Sequence, residues 1–187
     1  MTDPAQLAGG GLDRCFEVFT VSAFGLETLR AYAGPAADER LRALRLGLPR
    51  PGRPARAGPW LRRVTGTTAA GRSWHRIRVL GRPLTEDECA QLTGYREAAG
   101  AGEVIRIADR SLHPELAVLA RDFWLFDAGT ARPFAALLSH DHAGAYLGAA
   151  ITSEPAVIMA CVTARDLARR YSVPLGDYLA RLKAETW

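Results

Sequence analysis

The chain has 187 residues, of which 48% are hydrophobic and 24% are charged, and its formal net charge is +4. This composition excludes an intrinsically disordered protein, and the length is sufficient for one domain with a buried core. No apolar run approaches the roughly 20 residues that cross a bilayer, and the N-terminus lacks the features of a signal peptide, so we expect a cytoplasmic protein without a membrane partner.

Two stretches are predicted to be flexible. Residues 1–11 end in the three glycines Gly9 to Gly11, which predict a flexible N-terminus. Residues 49–59 contain four prolines, two glycines and three arginines, which predict a Pro/Arg-rich loop. The rest of the chain, 12–187, is predicted to be a single α+β domain.

The first folded segment is predicted to be helical. A helix, or a helix with one break near Gly25, is expected over 12–32, because apolar residues recur there every three or four positions. These apolar positions are Phe16, Phe19, Ala23, Leu26, Leu29 and Tyr32. Two further short helices are predicted, over 38–46 and from Trp60 to near Gly71.

The next segment predicts a βαβ unit. Residues 73–80 alternate, with Ile77 and Val79 on one face and Trp74 and Arg78 on the other, which predicts a strand. Thr85 is a suitable N-cap for a helix over 86–98. A second strand follows over 103–108, and the short connections favour parallel pairing of the two strands.

The run Asp122–Asp127 holds four consecutive bulky apolar residues between two aspartates. It predicts a strand buried on both faces at the centre of the fold, with the aspartates capping its ends. Strands over 132–138 and 145–151 are expected to continue as an antiparallel meander, and helices from Pro155 and from Leu175 to close the domain. The predicted fold is therefore a mixed sheet of about five strands flanked by N-terminal and C-terminal helices.

No constellation of residues predicts catalysis or a cofactor. The three cysteines Cys15, Cys89 and Cys161 are far apart and are interpreted as small apolar residues. His140 and His142 are candidate metal ligands, because alternate residues of a strand point the same way. The same segment is good turn material, and a surface hairpin turn is the favoured interpretation.

Several of these segments together resemble an actinobacterial family of unknown function. The segments that carry the resemblance are Trp74–Val79, Pro83–Thr85, Ala101–Arg106, the signature Asp122–Asp127, Gly144–Ala149, Arg165–Asp166, Val173–Leu175 and Tyr178. The resemblance spans most of 15–180. It implies a protein often encoded near helix-turn-helix regulators, with no established catalytic residues, and the family typically has a plain Asp/Gly turn at the position of the two histidines.

Two functions remain open from the sequence. The first is a non-enzymatic interaction or regulatory module whose partner is another protein, for example a helix-turn-helix regulator; nucleic acid is the alternative partner on the basis of the net charge. The predicted partner-binding residues are Arg50, Arg53, Arg56, Arg165, Arg169 and Arg170. The second function is a small-molecule binding protein or enzyme of specialised metabolism, with a pocket between the sheet and the C-terminal helices. Its predicted ligand-binding residues are Trp74, Arg78, Arg106, Trp124, Tyr146 and Tyr178.

Overall fold

The structure is a computed structural model that describes residues 11–47 and 58–185. These residues form one seven-stranded mixed sheet, six α-helices and a short 3₁₀ helix at Pro114–Val118. The elements are α1 (Gly11–Val18), β1 (Ser22–Glu27), α2 (Pro35–Arg45), α3 (Pro59–Ala69), β2 (Ser73–Leu80), α4 (Glu86–Gly100), β3 (Glu103–Asp109), β4 (Phe123–Phe126), β5 (Phe134–His140), β6 (Tyr146–Thr152), α5 (Pro155–Arg170), β7 (Ser172–Pro174) and α6 (Leu175–Glu185). The predicted α+β class is confirmed, with seven strands in place of about five.

The strand order across the sheet is β6-β5-β4-β1-β2-β3-β7. Strands β1, β2 and β3 are parallel, and β2, α4 and β3 form the predicted βαβ unit. Strands β4, β5 and β6 form the predicted antiparallel meander, and β7 pairs antiparallel with β3. Helix α4 begins with the predicted cap: the Thr85 hydroxyl accepts a hydrogen bond from Glu88 N at 3.1 Å, and the Glu88 carboxylate accepts one from Thr85 N at 2.8 Å.

The predicted helix over 12–32 is wrong. Helix α1 ends at Val18, and strand β1 follows between β2 and β4 near the middle of the sheet. The spacing of Phe16, Ala23 and Leu26 fits a helix only by coincidence, because a strand buried on both faces has no polar side to reveal its period of two. Strand β7 was not predicted, since its three residues carry no pattern.

The sheet separates two apolar cores. We call the side of the sheet that carries Trp74 and Trp124 the front face; helices α1, α3, α4 and α6 pack on it. We call the opposite side the back face; α5 and the 3₁₀ helix pack there, around Ile77 and Phe123. The predicted central strand is confirmed, because all four residues of β4 are buried, alternating between the two cores.

The aspartates that flank β4 hold other segments in place, as predicted. The Asp127 carboxylate accepts hydrogen bonds of 2.7–3.1 Å from the backbone N–H groups of Thr20, Val21 and Ser22 and from the Thr20 hydroxyl. It therefore fixes the connection between α1 and β1 to the end of β4.

Among the described helices, none combines the length and the apolar character that crossing a membrane requires.

Candidate functional site

A cavity of about 410 Å³ lies between the front face of the sheet and three helices. Helix α2 and the first turn of α3 form two of its walls, and α4 forms a third. Its floor is formed by Glu27 at the end of β1 and by Arg76 in the middle of β2. Its aromatic and charged lining residues are Glu27, Tyr32, Glu39, Arg40, Trp60, Arg76, Tyr95 and Glu97. The remaining lining residues are Ala36, Ala37, Ala43, Leu44, Gly58, Pro59, Leu61, Ala90, Gln91, Thr93, Gly94 and Ala98.

The floor of the cavity is a network of ion pairs. Arg76 donates from Nη1 to Oε1 of Glu27, and from Nε to Oε1 of Glu103 at 2.7 Å. The second oxygen of Glu27 accepts a hydrogen bond from the Tyr95 hydroxyl, and the second oxygen of Glu103 accepts one from Trp60 Nε1 at 3.3 Å. Each oxygen of both carboxylates therefore has a hydrogen-bond donor.

Aromatic rings surround the guanidinium of Arg76. Its Cζ lies 5.3 Å from the ring centre of Trp60, 5.7 Å from that of Tyr95 and 5.2 Å from that of Trp124. Guanidinium groups at these distances from ring centres gain cation–π stabilisation. The position of Arg76 is thus fixed by ion pairs on its edge and by rings around it.

Each ionisable group of this network keeps one protonation state at neutral pH. Burial would raise the pKa of Glu27, but the charges of Arg76 and Arg78 and the hydrogen bond from Tyr95 lower that pKa below its ordinary value. Burial would lower the pKa of Arg76, but Glu103 and Glu27 raise it above its ordinary value. Burial, together with the Glu27 charge, raises the pKa of Tyr95. The floor therefore presents an ionised Glu27, an ionised Arg76 and a neutral Tyr95.

Tyr32 forms the wall between α2 and the sheet. Its hydroxyl donates to Oδ2 of Asp122, whose Oδ1 accepts hydrogen bonds of 2.7 Å from the Thr28 backbone N–H and from the Thr28 hydroxyl. Asp122 therefore anchors both ends of the segment that leaves β1. Together with the hydrogen bond from Ala33 N to the Gly144 backbone oxygen at 3.1 Å, this anchoring holds Tyr32 against the cavity.

Arg78 lies next to this wall and is completely buried. None of its three side-chain nitrogens has a hydrogen-bond partner among the residues that the structure describes, and its Cζ lies 5.0 Å from the ring centre of Tyr32. Burial would lower its pKa, but the ionisable groups Tyr95, Tyr32, Glu27 and Glu88 raise it. Arg78 is therefore a buried cation held by surrounding acidic groups and by a ring, and it is not among the lining residues of the cavity.

Two buried donor atoms belong to residues of the cavity lining. Arg40 Nε on α2 and Gln91 Nε2 on α4 are shielded from solvent and have no hydrogen-bond partner within 11–47 and 58–185. The guanidinium of Arg40 lies flat on α4 at Gly94, where a Cβ atom would come within 2.7 Å of Arg40 Nη1. Gln91 is one turn from Gly94 on α4, so the two donors share one side of that helix.

The six predicted ligand-binding residues do not come together in one site. Trp74, Trp124 and Tyr178 are packed in the front-face core, and Trp74 Nε1 donates to the Thr67 hydroxyl at 2.7 Å. Because these side chains fill the core, the observed cavity lies against α2, α3 and α4 and not between the sheet and the C-terminal helices.

The remaining predicted ligand residues lie elsewhere on the sheet. Arg106 is paired with Ile77 and so belongs to the back face, where it donates from Nε to the Ser172 hydroxyl at 2.8 Å. Tyr146 is exposed on the edge strand β6, five strands from β3, or about 24 Å at the usual strand spacing. A ligand role for these six residues stays a prediction.

The predicted partner-binding arginines fall into two groups. Arg50, Arg53 and Arg56 lie outside the described residues. Arg169 and Arg170 are exposed near the end of α5, and Arg165 is half-buried on the same helix with an ion pair to Asp166 at 2.8 Å. The pKa of His75, a residue of β2, is lowered by its burial and by the positive charges of Arg169 and Arg165. Charges act in this way only over short distances, so both arginines lie close to the back face of β2.

The histidine pair lies at a hairpin, in agreement with the favoured interpretation. His140 ends β5 and His142 is exposed in the following turn. The turn is held by the Asp141 side chain, which accepts hydrogen bonds from Ala143 N at 2.9 Å and from Ala145 N at 2.8 Å. Within the described ranges, no three histidine, cysteine or acidic side chains are grouped to hold a metal ion.

Most residues of the cavity were not singled out by the sequence. They come from separated segments, and no single stretch contains a motif for them. One signal was available: Arg76 and Arg78 alternate with Trp74 on the same face of a strand, and charged residues on the core side of a strand indicate a buried polar network.

A comparison with the models of known protein families identifies a family for this chain. The model of a family described as a domain of unknown function (DUF6879) matches residues 11–180, which agrees with the predicted resemblance to a family of unknown function. Neither the curated proteins nor the solved structures include a match to the chain.

Proposed function

Because the chain belongs to the DUF6879 family, whose description names no activity, we propose from the geometry of the site that it binds a small molecule in the cavity between α2, α3, α4 and the sheet. The observation that carries this proposal is the cavity itself. Its volume of about 410 Å³ falls in the range of ligand sites, which are roughly 300–1,000 Å³ and combine apolar walls with a few fixed polar groups.

The lining supports binding of an organic molecule. Trp60, Tyr32 and Tyr95 offer aromatic surface, and Leu44 and Leu61 add aliphatic surface. The polar floor is rigid, because Arg76 is fixed by two ion pairs and by three rings. A rigid site loses little entropy when it binds, which favours affinity.

The floor favours holding a ligand over transferring a proton. A general acid or base works best when its pKa lies near the working pH. The pKa of Glu27 is lowered and the pKa of Tyr95 is raised, so both move away from neutrality. Both groups are also engaged with each other and with Arg76.

A thermal-shift screen tests this proposal. Neutral, anionic and cationic compounds are added to the wild-type chain and to Ala43→Phe, whose new ring fills the cavity from α2. A ligand at 100 times its Kd stabilises the fold by about 2.7 kcal/mol, which for this size raises Tm by about 5–10 °C. The Ala43→Phe variant is expected to lose the shift.

The matched control is Ala99→Phe, which places the same ring on an exposed position of α4 outside the cavity lining. Circular dichroism establishes that both variants are folded. Compounds that stabilise wild type, Ala99→Phe and Ala43→Phe equally would show that binding occurs elsewhere, and the proposal would then be wrong.

A second candidate is a partner protein that docks on α5. The observation that favours it is that Arg169 and Arg170 are both exposed at the end of α5, where they add positive charge to the surface. Such a surface complements an acidic one. A helix-turn-helix regulator from the same genome is the partner class to test.

The test is a pull-down of purified regulators with the wild-type chain and with the double variant Arg169→Glu/Arg170→Glu. Capture that the double variant abolishes, and that Arg42→Glu on exposed α2 leaves intact, is the expected result. Self-association of the chain with no capture of a regulator would count against this candidate.

A further inference from the structure

Strand β6 forms one edge of the seven-stranded sheet. Its inner side pairs with β5, and among the described residues no other strand pairs with Tyr146–Thr152. The backbone N–H and C=O groups of a strand point to its two sides, so an edge strand leaves a row of them unpaired on its outer side. Such a row is a template for a further extended strand.

The two edges of the sheet differ in how they are protected. Natural edge strands are usually protected against pairing by charged side chains, by proline or by being very short. The opposite edge, β7, has three residues and ends in Pro174. Strand β6 has seven residues, YLGAAIT, with no charge and no proline, and its Tyr146 and Leu147 are 48% and 68% exposed. Within the described ranges, β6 is therefore an open and apolar edge.

A bulge determines which part of β6 can pair regularly. The pairing with β5 skips Leu147, which interrupts the ladder. The regular segment that remains is Gly148–Thr152, and its central residue is Ala150. The Ala150 side chain is exposed, and its partner in β5 is Leu137, so it lies on the back face. A further strand would therefore be centred on Ala150.

We propose that a second copy of this chain binds the open edge, with the two β6 strands antiparallel about a two-fold axis at Ala150. The axis places Ile151 of each copy opposite the small Ala149 of the other, and no charged side chains of β6 oppose each other. The segment is thus complementary to itself, as a symmetric dimer requires. The inference does not depend on the proposed ligand site, because no residue of β6 lines the cavity.

Association is expected to stop at two copies. A two-fold contact uses the same edge of both copies, so it closes on itself. The β7 edge does not extend the sheet further, because it is short and Pro174 has no backbone N–H. Two paired strands of this length bury less than the roughly 1,600 Å² of a standard interface, so we expect a weak dimer with a Kd of about 10–100 µM.

The test measures mass by light scattering between about 5 and 500 µM, a range that brackets the expected Kd. The wild-type mass should rise from the 20.2 kDa of one chain towards twice that value. Ala150→Glu and Ala150→Lys each place two like charges opposite each other at the axis, and each should weaken the dimer about tenfold or more. An equal mixture of the two variants pairs opposite charges and should recover the dimer. Ala99→Glu, on an exposed position of α4, is the matched control and should dimerise like wild type.

Three results would overturn the proposal. The first is a wild-type chain that stays at 20.2 kDa over the whole range. The second is a dimer that both Ala150 variants leave intact, and the third is a mixture of these variants that stays monomeric. If circular dichroism shows either variant to be unfolded, hydrogen exchange of the wild type decides: the amides of Gly148–Thr152 should exchange more slowly at the highest concentration than at the lowest, and equal rates would refute the pairing.

Discussion

The substitution Gly25→Ala is expected to destabilise the fold although alanine is the better strand residue. Gly25 lies in β1, opposite Arg76 on one side and Trp124 on the other. A Cβ atom at this position would come within 3.0 Å of two ring atoms of Trp124. The indole must therefore shift, or β1 must move.

The indole has no room to shift. Trp124 is buried, and its ring centre lies 5.0 Å from that of Phe16, 5.7 Å from that of Trp60 and 5.8 Å from that of Trp74. Overpacking of such a core costs about 1–3 kcal/mol. Replacing glycine in a strand returns about 0.5–1 kcal/mol of backbone entropy. The midpoints of these two ranges differ by about 1 kcal/mol, which is the expected net loss in the free energy of unfolding.

The assay is urea denaturation followed by circular dichroism, with Gly66→Ala as the matched control. Gly66 lies inside α3, and a Cβ atom there meets nothing within 4 Å. Gly66→Ala is expected to stabilise the fold by about 0.5–1 kcal/mol, since alanine is the better helix former. The same chemical change therefore has opposite signs at the two positions.

A double-mutant cycle identifies the cause of the loss. Trp124→Phe removes the ring atoms that the new methyl group meets, so Gly25→Ala should cost less in the Trp124→Phe background. If Gly25→Ala is neutral or stabilising in the wild type, or if its cost is the same in both backgrounds, the packing argument for Trp124 is refuted.

Three further predictions concern charged groups. Asp127→Asn should lower the free energy of unfolding in urea by about 2–4 kcal/mol, because it weakens the hydrogen bonds that four donor groups of the α1–β1 connection make to this carboxylate, whereas the surface change Asp166→Asn should stay within about 0.5 kcal/mol. An NMR titration should give His75 a pKa below its ordinary 6.5, and Arg169→Gln should raise that pKa; the stability that neutral His75 contributes is present above pH 6.5 and is lost as the pH falls through the lowered pKa. Because the pKa of Glu27 is lowered in the folded state, ionised Glu27 stabilises the fold at pH values above its ordinary pKa of 4.5, and this stability is lost as the pH falls through the lowered pKa. In urea unfolding measured over a pH series, Glu27→Gln should therefore make the midpoint fall less steeply at acidic pH.

The sequence was informative where the determinants are local. Thr85 and Glu88 form a capping box within four residues, and the strand after Ser73 shows its period of two directly. Both features were therefore predictable. The four consecutive bulky residues of β4 also indicated a buried strand, because no short helix could bury all of them.

Strand β1 was not predictable in the same way. Its neighbours in the sheet are β2 and β4, which lie 51 and 101 residues further along the chain when Ser22 is compared with Ser73 and Phe123. Both faces of β1 are covered, so its sequence has no polar side. Its identity as a strand depends on non-local pairing, which a pattern in the chain does not reveal.

The cavity was even harder to predict from the sequence than β1, because it depends on how the helices pack on the sheet. Its floor comes from β1 and β2, and two of its walls come from α2 and α3, which were predicted only as isolated helices. Whether α2 and α3 close on the sheet or leave a space is decided by details such as the contact between Arg40 and Gly94. A glycine inside a helix costs about 1 kcal/mol relative to alanine, so Gly94 is the one sequence signal that something approaches α4 closely.

The buried charges on the front face connect the fold to the site. At Glu27, Arg76 and Glu103 the sheet places ion pairs where neighbouring front-face positions such as Ala23 and Ile105 carry apolar residues. Replacing a buried ion pair with well-packed apolar residues is often neutral or stabilising, so stability alone does not explain these charges. A rigid polar floor beneath a cavity does explain them, because a ligand site needs fixed polar groups and a core does not.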